Sequence, residues 1–126
     1  MENIVDIFKA LSDKTRLRIL RLLVKARGEI CSCEICDSLL EPQYSVSRNI
    51  KILKAAGLIR EHKEGKWVYY SLIKRTGDFQ KALLRALGTL PDEDILEKDE
   101  ARFKKRLKLR EDGKCQIGIQ NKELMS

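Results

Sequence analysis

A proline at position 42 divides the most regularly patterned part of this sequence. Pro42 has no backbone N–H, and its ring drives the preceding Glu41 out of the helical region, so no helix runs through this point. The spacing of apolar residues predicts one helix over 32–40 and another over 44–56, ended by Gly57. Two helices joined by so short a break predict a helix-turn-helix. For the second segment alone, an amphipathic surface helix with solvated charge is the alternative.

A β-hairpin is predicted directly after these helices. Residues 58–63 and 66–72 flank Glu64-Gly65, and the second run is rich in aromatic and β-branched residues, which predicts two strands around a two-residue turn. A hairpin in this position is the wing of a winged helix. Lys63 and Lys66 flank its tip, where basic side chains commonly contact phosphates.

The remaining part of residues 1–91 is expected to be helical. An apolar stripe predicts a short first helix, and Asp13 is the expected N-cap of a second helix over 14–26, whose broad apolar surface is typical of a core helix. A further helix is expected over 77–90, where Pro91 ends it. The predicted fold class is therefore mainly α with a β-hairpin wing.

The 77–90 helix has an apolar stripe, and the small winged-helix domain has too little surface left to cover it. We therefore assign this helix and the first helix to the interface of a homodimer. The predicted interface residues are Ile4, Val5, Phe8, Phe79, Leu83 and Leu87.

Residues 92–126 are expected to form a separate segment. Oppositely charged residues stand four apart within 92–111, which predicts a solvated helix, and residues 112–126 are expected to be disordered. The chain is thus divided into a winged-helix DNA-binding and dimerisation domain over 1–91 and a charged C-terminal helix with a flexible tail. The apolar residues expected to rest that helix on the domain are Leu96, Phe103 and Leu107.

The excess positive charge lies in the first of these parts. The net charge is +7, and residues 1–91 hold 17 Lys or Arg against 10 Asp or Glu, whereas residues 92–126 hold nine of each. A basic folded domain indicates nucleic acid or an anionic surface as partner, with ordinary solubilising lysine as the alternative. No signal peptide is read at Met1, and no apolar stretch approaches the ~18 residues of a membrane span. We expect a cytoplasmic protein with no membrane partner.

Three of the four cysteines fall within six residues, at Cys31, Cys33 and Cys36. Cys33 and Cys36 share one helix face, so all three sulfurs meet only if Cys31 lies outside the helix or the first turn is deformed. Such a group suits a soft ion, although three small buried hydrophobes are the alternative. In a reducing compartment, clustered thiols indicate metal or redox chemistry more than structural disulfides.

Four motifs occur together along residues 3–90. They are the opening Leu11-Ser12-Asp13-Lys14-Thr15-Arg16-Leu17, the cysteine triplet, Ser47-Arg48 in the fourth predicted helix, and Gly65-Lys66-Trp67-Val68-Tyr69-Tyr70 in the wing. Together they resemble the ArsR/SmtB metalloregulator family, and most of all its arsenic-responsive repressors, whose effector motif is Cys-x-Cys-x-x-Cys at this place. The chain departs from the family at Asn49, where relatives often carry His.

The resemblance implies a winged-helix homodimer that binds double-stranded DNA at an inverted-repeat operator and releases it when a metal or metalloid binds. The two 44–56 helices of such a dimer are expected in successive major grooves, about 34–36 Å apart. The side chains expected at base edges are Ser45, Ser47 and Arg48, with Gln43 and Tyr44 at the helix start, and those expected at phosphates are Lys51, Lys63 and Lys66.

The number of thiols favours a trivalent metalloid over zinc. Structural zinc prefers four ligands, whereas only three thiols cluster here. Trivalent arsenic takes three ligands in a pyramid, and three thiols displace the three hydroxyls of arsenite. Antimonite should behave similarly, and cadmium and lead compete as soft ions. We expect arsenite to bind Cys31, Cys33 and Cys36 within one subunit and to distort the start of the 32–40 helix, with no cofactor required and no part for Cys115.

The sequence therefore predicts a repressor that releases its operator when As(III) or Sb(III) binds. The alternatives are a repressor of the same fold that responds to Cd, Pb or Zn, and a thiol-redox repressor in which Cys33 and Cys36 oxidise. An enzyme of thiol-disulfide exchange is disfavoured, because its Cys-x-x-Cys would stand at a strand-to-helix junction of an α/β fold, and no parallel sheet is predicted.

Overall fold

A computed structural model of the protein describes residues 1–74, 77–91 and 93–120. It confirms a mainly helical fold with a hairpin wing. No helix among these residues is long and apolar enough to cross a membrane. The elements in chain order are α1 (Glu2–Leu11), α2 (Lys14–Ala26), β1 (Ile30–Cys31), α3 (Ser32–Leu39), α4 (Gln43–Ala55), β2 (Ile59–Glu64), β3 (Trp67–Leu72), α5 (Asp78–Gly88) and α6 (Asp94–Leu107).

The second helix begins and ends where its sequence predicts. The carboxylate of Asp13 accepts a hydrogen bond from the backbone N–H of Arg16 at 3.1 Å, which confirms Asp13 as the N-cap of α2. At the other end, Arg27 rather than Gly28 takes the left-handed conformation, with φ 56°. A non-glycine residue therefore occupies the position that glycine usually fills.

The helix-turn-helix consists of α3, a three-residue turn over 40–42, and α4. Leu40 leaves α3 in the left-handed conformation, with φ 54°, and Pro42 precedes α4 in an extended conformation. Gly57, with φ 75°, closes α4, and the N–H of Leu58 donates back to the carbonyl of Leu53 at 3.1 Å. The predicted break at Pro42 and the predicted stop at Gly57 are both confirmed.

The wing is a three-stranded antiparallel sheet in the order β1-β3-β2. Glu64 pairs with Trp67, so the turn is Gly65-Lys66, one residue later than predicted. Gly65 has φ 62°, the conformation that a tight hairpin turn requires at its first central position. The two-residue strand β1, in which Cys31 pairs with Tyr69, was not predicted, because two residues are too few to show an alternating pattern.

Part of the predicted dimer interface belongs to the hydrophobic core of the single subunit, so that prediction is corrected. Leu87 is only 4% exposed and belongs to the hydrophobic core of the single subunit, and Leu83 packs against that core. The stripe of α5 is therefore partly covered by its own domain, contrary to the sequence-based expectation. The remaining predicted residues are exposed side chains: Ile4, Val5, Phe8 and Phe79, with the rings of Phe8 and Phe79 6.1 Å apart between centroids.

The last helix lies against α3, and the segment after it stays on the domain. Leu96 and Phe103 are buried and Leu107 packs against the core, as predicted. The expectation of a disordered tail needs correction for residues 112–120, because Cys115 is buried and the backbone N–H of Gln120 donates to the Asp37 carboxylate. Their polar sequence does not reveal these long-range partners. Residues 121–126 lie outside the described part of the chain.

Candidate thiol site and nucleic-acid interface

Three thiols meet where β1 passes into α3. Cys33 Sγ lies 3.2 Å from Cys31 Sγ and 3.2 Å from Cys115 Sγ. All three sulfurs lie within 4.8 Å of one another, and all three residues are buried. Among the residues that the structure describes, these are the only three or more His, Cys, Asp or Glu side chains close enough to share one metal ion. We call this group the thiol cluster.

The backbone around Cys31 places the cluster. Cys31 lies outside α3, as the spacing argument required, in an extended conformation at the helix N-cap, and its N–H donates to the Glu34 carboxylate at 2.9 Å. Cys31 pairs in the sheet with Tyr69, and the Tyr69 hydroxyl accepts a hydrogen bond from the backbone N–H of Cys115 at 3.0 Å. The wing therefore positions two of the three cysteines, and the first turn of α3 positions Cys33.

The structure does not bring Cys36 into this group. Cys36 lies in the main hydrophobic core, where its thiol donates to the Gln43 side-chain carbonyl at 3.6 Å. The predicted set of Cys31, Cys33 and Cys36 is thus corrected to Cys31, Cys33 and Cys115 as the sulfurs that assemble here. Cys36 follows Cys33 by nearly one turn and faces α4, whereas Cys33 faces the C-terminal segment. The only sequence hint of the third sulfur was that Cys115 was the remaining cysteine.

The thiols differ in acidity. Donation of a hydrogen bond from Cys33 lowers the pKa of Cys31 to about 6. The pKa of Cys33 is raised in return, since its hydrogen bond to Cys31 and its burial both favour the thiol. Burial raises the pKa of Cys115, and burial with the nearby charge of Asp37 raises the pKa of Cys36 to about 12. Among these thiols, the pKa is lowered at Cys31 and raised at Cys33, Cys36 and Cys115.

Two buried ion pairs surround the cluster. Asp37 is fully buried and accepts from Arg106 Nε at 2.7 Å, and Arg106 Nη2 lies 3.7 Å from Cys33 Sγ. Glu34, also fully buried, accepts from Arg110 Nε at 2.6 Å and from Arg110 Nη2 at 2.7 Å. Both carboxylates belong to α3, and both arginines belong to α6 or the segment after it.

The outer side of α4 and the hairpin tip carry most of the residues predicted to contact DNA. Tyr44 is 71% exposed, and the side-chain amide of Gln43 donates to Ser47 Oγ at 3.0 Å. At the hairpin, Lys66 Nζ lies 5.0 Å from the centroid of the Trp67 ring. The predicted residues that are exposed are Gln43, Tyr44, Ser47, Arg48, Lys51, Lys63 and Lys66.

Ser45 does not face outward. It is 9% exposed, and its carbonyl accepts a hydrogen bond from Asn49 Nδ2 at 2.9 Å. Asn49 Oδ1 accepts from Arg16 Nη1 at 3.0 Å, and Arg16 Nε donates to the carbonyl of Ala10 at 2.6 Å. Ser45 is therefore corrected from a base-reading to a buried position. Asn49 and Arg16 connect α4 to the first two helices, a role that the sequence analysis missed.

His62 is an exposed residue of β2, and its Nδ1 lies 2.7 Å from a carboxylate oxygen of Glu29.

The fold and these surfaces define a winged-helix protein of the DNA-binding class. Residues 11–62 match a family model described as a helix-turn-helix domain. An uncharacterized HTH-type transcriptional regulator of Methanocaldococcus jannaschii is 44% identical over 72 residues, which are 57% of this chain and 80% of that protein.

Two further relatives are resistance regulators. The arsenical resistance operon repressor of Escherichia coli is 43% identical over 54% of this chain and 57% of its own length. The cadmium resistance transcriptional regulatory protein CadC homolog of Staphylococcus aureus is 39% identical over 56% of this chain and 57% of its own. The chain thus spans a little over half the length of these two relatives.

Solved structures show the same architecture. HlyU from Vibrio cholerae superposes with a TM-score of 0.59 at 28% identity, over 68% of this chain and 88% of that chain. HlyU from Vibrio vulnificus gives a TM-score of 0.56 at 31% identity, over 67% and 82%. This chain belongs to the ArsR/SmtB family of helix-turn-helix transcriptional regulators.

Proposed function

We propose that this protein is a transcriptional repressor that releases its operator when trivalent arsenic binds buried thiols at the start of α3, Cys31 and Cys33 among them. The observation that carries the proposal is the meeting of three buried sulfurs at the start of α3, the first helix of the helix-turn-helix. The similarity to an arsenical resistance repressor supports it. The proposed effector is arsenite, with antimonite as its chemical analogue, and no resident cofactor is needed.

The sulfur spacing fits a pyramidal ion better than a tetrahedral one. For a metal–sulfur bond of about 2.3 Å, a tetrahedral ion holds its sulfurs about 3.8 Å apart, and a spacing of 3.2 Å corresponds to a bond angle of about 90°. Cys33 Sγ lies 3.2 Å from each of the other two sulfurs. Trivalent arsenic carries a lone pair that closes the angles between its ligands, so these two spacings suit it. Zinc would also need a fourth ligand.

The binding reaction exchanges ligands without electron transfer. Three As–O bonds of arsenous acid break, three As–S bonds form, and the three displaced hydroxyls leave as water with the three thiol protons. Cys31, whose pKa is lowered to about 6 by the hydrogen bond from Cys33, supplies the first thiolate near neutral pH. Burial of the cluster then protects the As–S bonds from water.

The link from the thiols to DNA runs through α3. This helix is buried from Cys33 to Leu39 and packs on α4, and the Cys36–Gln43 hydrogen bond joins the two helices directly. A change at the start of α3 therefore displaces α4, whose exposed face we propose reads an inverted-repeat operator as part of a homodimer. Couplings of this kind are typically about 1–3 kcal/mol.

The test is release of DNA by arsenite under reducing conditions. An operator is first selected from random duplex DNA, and its complex with the protein is followed by fluorescence anisotropy while arsenite is added. Wild-type protein should dissociate, and Cys33→Ser should bind the operator yet stay bound in arsenite, because Cys33 is the central sulfur of the cluster. Normal arsenite release from Cys33→Ser would place the effector site elsewhere.

A redox response is the second candidate, and one distance favours it. Cys33 Sγ lies within 3.2 Å of two other sulfurs, so a peroxide could take two electrons and two protons from Cys33 and one neighbour to form a disulfide. The partner would be Cys31 or Cys115 rather than the Cys36 expected from sequence. Release by peroxide but not by arsenite would select this alternative, and release by cadmium alone would select a soft-metal repressor.

A further inference from the structure

We infer that Cys115 is the third ligand of the effector site, and that effector binding fastens residues 108–120, the C-terminal strap, to α3 and the wing. This inference rests on the proposed function and adds a ligand and a moving part to it. The ligand set differs from the Cys-x-Cys-x-x-Cys triplet, and the strap lies outside residues 11–62 that match the helix-turn-helix family model.

Cys115 is buried beside the other two sulfurs of the cluster. Its side chain is 1% exposed, its Sγ lies 3.2 Å from Cys33 Sγ, and its backbone N–H donates to the Tyr69 hydroxyl at 3.0 Å. The carbonyl of Ile117, two residues further on, accepts from Arg106 Nη2 at 2.6 Å. The strap is thus held on both sides of Cys115, and the sulfur points to the other two.

Two buried carboxylates of α3 are paired with the C-terminal strap and the end of α6. Glu34 and Asp37 are both fully buried, and a buried carboxylate without a partner is strongly destabilising. Their partners are Arg110, in the strap, and Arg106, in the last turn of α6, while the N–H of Gln120 also donates to Asp37 at 2.9 Å. Both buried carboxylates on α3 would therefore lose these arginine partners if the strap and the end of α6 moved away.

The C-terminal strap also contacts the wing. Lys114 Nζ forms an ion pair with Glu64 at the tip of β2, next to the exposed Lys66 of the hairpin. The strap therefore touches the wing as well as α3, the helix that precedes α4. An ion bound by Cys31, Cys33 and Cys115 would join β1, α3 and the strap by three bonds, so the strap would carry the effector signal to both parts of the DNA-binding surface.

Cys36 is poorly placed for the same role. Its thiol is buried in the main core against Gln43, on the side of α3 that faces α4. The Sγ of Cys36 does not lie within 4.8 Å of both Cys31 Sγ and Cys33 Sγ. With Cys115 as the third ligand, the ligand exchange needs no rearrangement of the sulfurs. Three thiols replace the three hydroxyls of arsenous acid, and three waters leave.

The test compares Cys115→Ser with the matched variant Cys36→Ser in the full-length protein. Arsenite binding is followed by the near-ultraviolet absorbance of As–S bonds, and operator binding without arsenite reports whether each variant folds. Loss of an outer-shell partner already costs a metal site roughly 10–100-fold in affinity. Cys115→Ser should therefore bind arsenite at least about tenfold more weakly and lose operator release, whereas Cys36→Ser should keep its arsenite affinity within a few-fold. Unchanged arsenite affinity in Cys115→Ser overturns the inference.

Wild-type protein supplies a readout that does not depend on a variant folding. Trypsin separates Cys115, on the peptide after Lys114, from the other three cysteines, which share the peptide between Arg27 and Arg48. Arsenite should slow alkylation of Cys115, and unchanged alkylation there overturns the inference whatever the variants do. Protection of Cys36 in place of Cys115, with operator release intact, leaves the proposed function standing and removes only this inference. Protection of no thiol removes both.

The fastening of the C-terminal strap is tested separately by its rate of tryptic cleavage. Arsenite should slow tryptic cleavage after Lys108 and Lys114 several-fold in wild-type protein and leave the rate unchanged in Cys115→Ser. Equal cleavage rates with and without arsenite in wild-type protein would overturn the fastening.

Discussion

Asp37 shows how strongly the stability of this protein depends on individual buried charges. Its carboxylate is fully buried on α3, and the fully buried Arg106 donates to it at 2.7 Å. Removal of one partner of such a pair strands the other charge away from water, which typically costs about 3–5 kcal/mol. Arg106 Nη1 already has no hydrogen-bond partner within the described chain, so loss of Asp37 would leave this guanidinium poorly satisfied.

We therefore expect Asp37→Ala to lower the free energy of unfolding by about 3–5 kcal/mol. The matched control is Asp94→Ala, which removes the exposed i,i+4 partner of Lys98 and should change stability within experimental error. Urea denaturation at one fixed protein concentration measures both. Equal midpoints for the two variants would show that the Asp37–Arg106 pair contributes no more to stability than an exposed ion pair does.

At the residue scale, the sequence could predict roles that depend on neighbours along the chain. Asp13 caps α2 because its partner is the N–H of Arg16, three residues away. Ser45 was assigned wrongly because it lies near the edge of a helix face, where only the neighbouring element decides between burial and exposure. The spacing of the cysteines also did not reveal that Cys36 packs in the main hydrophobic core. Cys115 joins Cys33 across 82 positions, a distance at which no spacing rule applies.

At the scale of elements, α4 and the hairpin form the proposed DNA-reading surface. Arg48 and Lys51 are exposed on α4, with Lys63 and Lys66 at the hairpin. An arginine that contacts guanine contributes about 1–3 kcal/mol of discrimination between bases, whereas a lysine at a phosphate strengthens binding to all sequences alike. The two kinds of contact therefore differ in their measurable consequences.

We expect Arg48→Ala to weaken operator binding by about 1–3 kcal/mol and to relax the preference at one base pair of each half-site. Lys51→Ala should weaken binding to every sequence and lower the slope of log affinity against log salt by about 1. Lys98→Ala, on α6 and outside both elements, is the control. Binding isotherms over a salt series measure all three, and wild-type affinity and slope in both α4 variants would refute the placement.

Elements with a complete local pattern were predictable from the sequence, and elements held by distant partners were not. The helix-turn-helix follows from Pro42 and two apolar stripes, and the hairpin follows from one turn between two runs of strand-forming residues. By contrast, β1 is defined by its pairing with β3, and the strap by ion pairs to α3. Such contacts join residues far apart in the chain and leave no periodicity behind.

At the scale of the whole molecule, an exposed apolar patch on α1 and α5 is the proposed homodimer interface. Ile4, Val5, Phe8 and Phe79 are 42%, 42%, 52% and 40% exposed, and the two aromatic rings are in contact range. Exposed apolar patches of this kind mark interaction surfaces. Leu83 and Leu87 instead support the subunit's own core, so they are poor positions for testing association.

We expect Phe8→Glu to give folded monomers that bind the operator far more weakly, since a monomer engages only one half-site. Tyr44→Glu is the control for an acidic residue at an exposed aromatic position, and it should remain dimeric because Tyr44 lies on α4. Sedimentation velocity at micromolar concentration distinguishes the two. A monomeric wild-type protein, or a dimeric Phe8→Glu, would contradict the assignment.

We expect arsenite and the operator each to weaken the binding of the other to this protein. Linkage requires that arsenite weaken operator binding by the same factor as operator weakens arsenite binding, typically about 5–150-fold. The decisive measurement is the arsenite affinity of the reduced wild-type protein, determined once alone and once with saturating operator. We predict that the arsenite affinity is weaker in the operator complex, by the same factor by which arsenite weakens operator binding. Equal arsenite affinities in the two states would contradict the proposed coupling between the two sites.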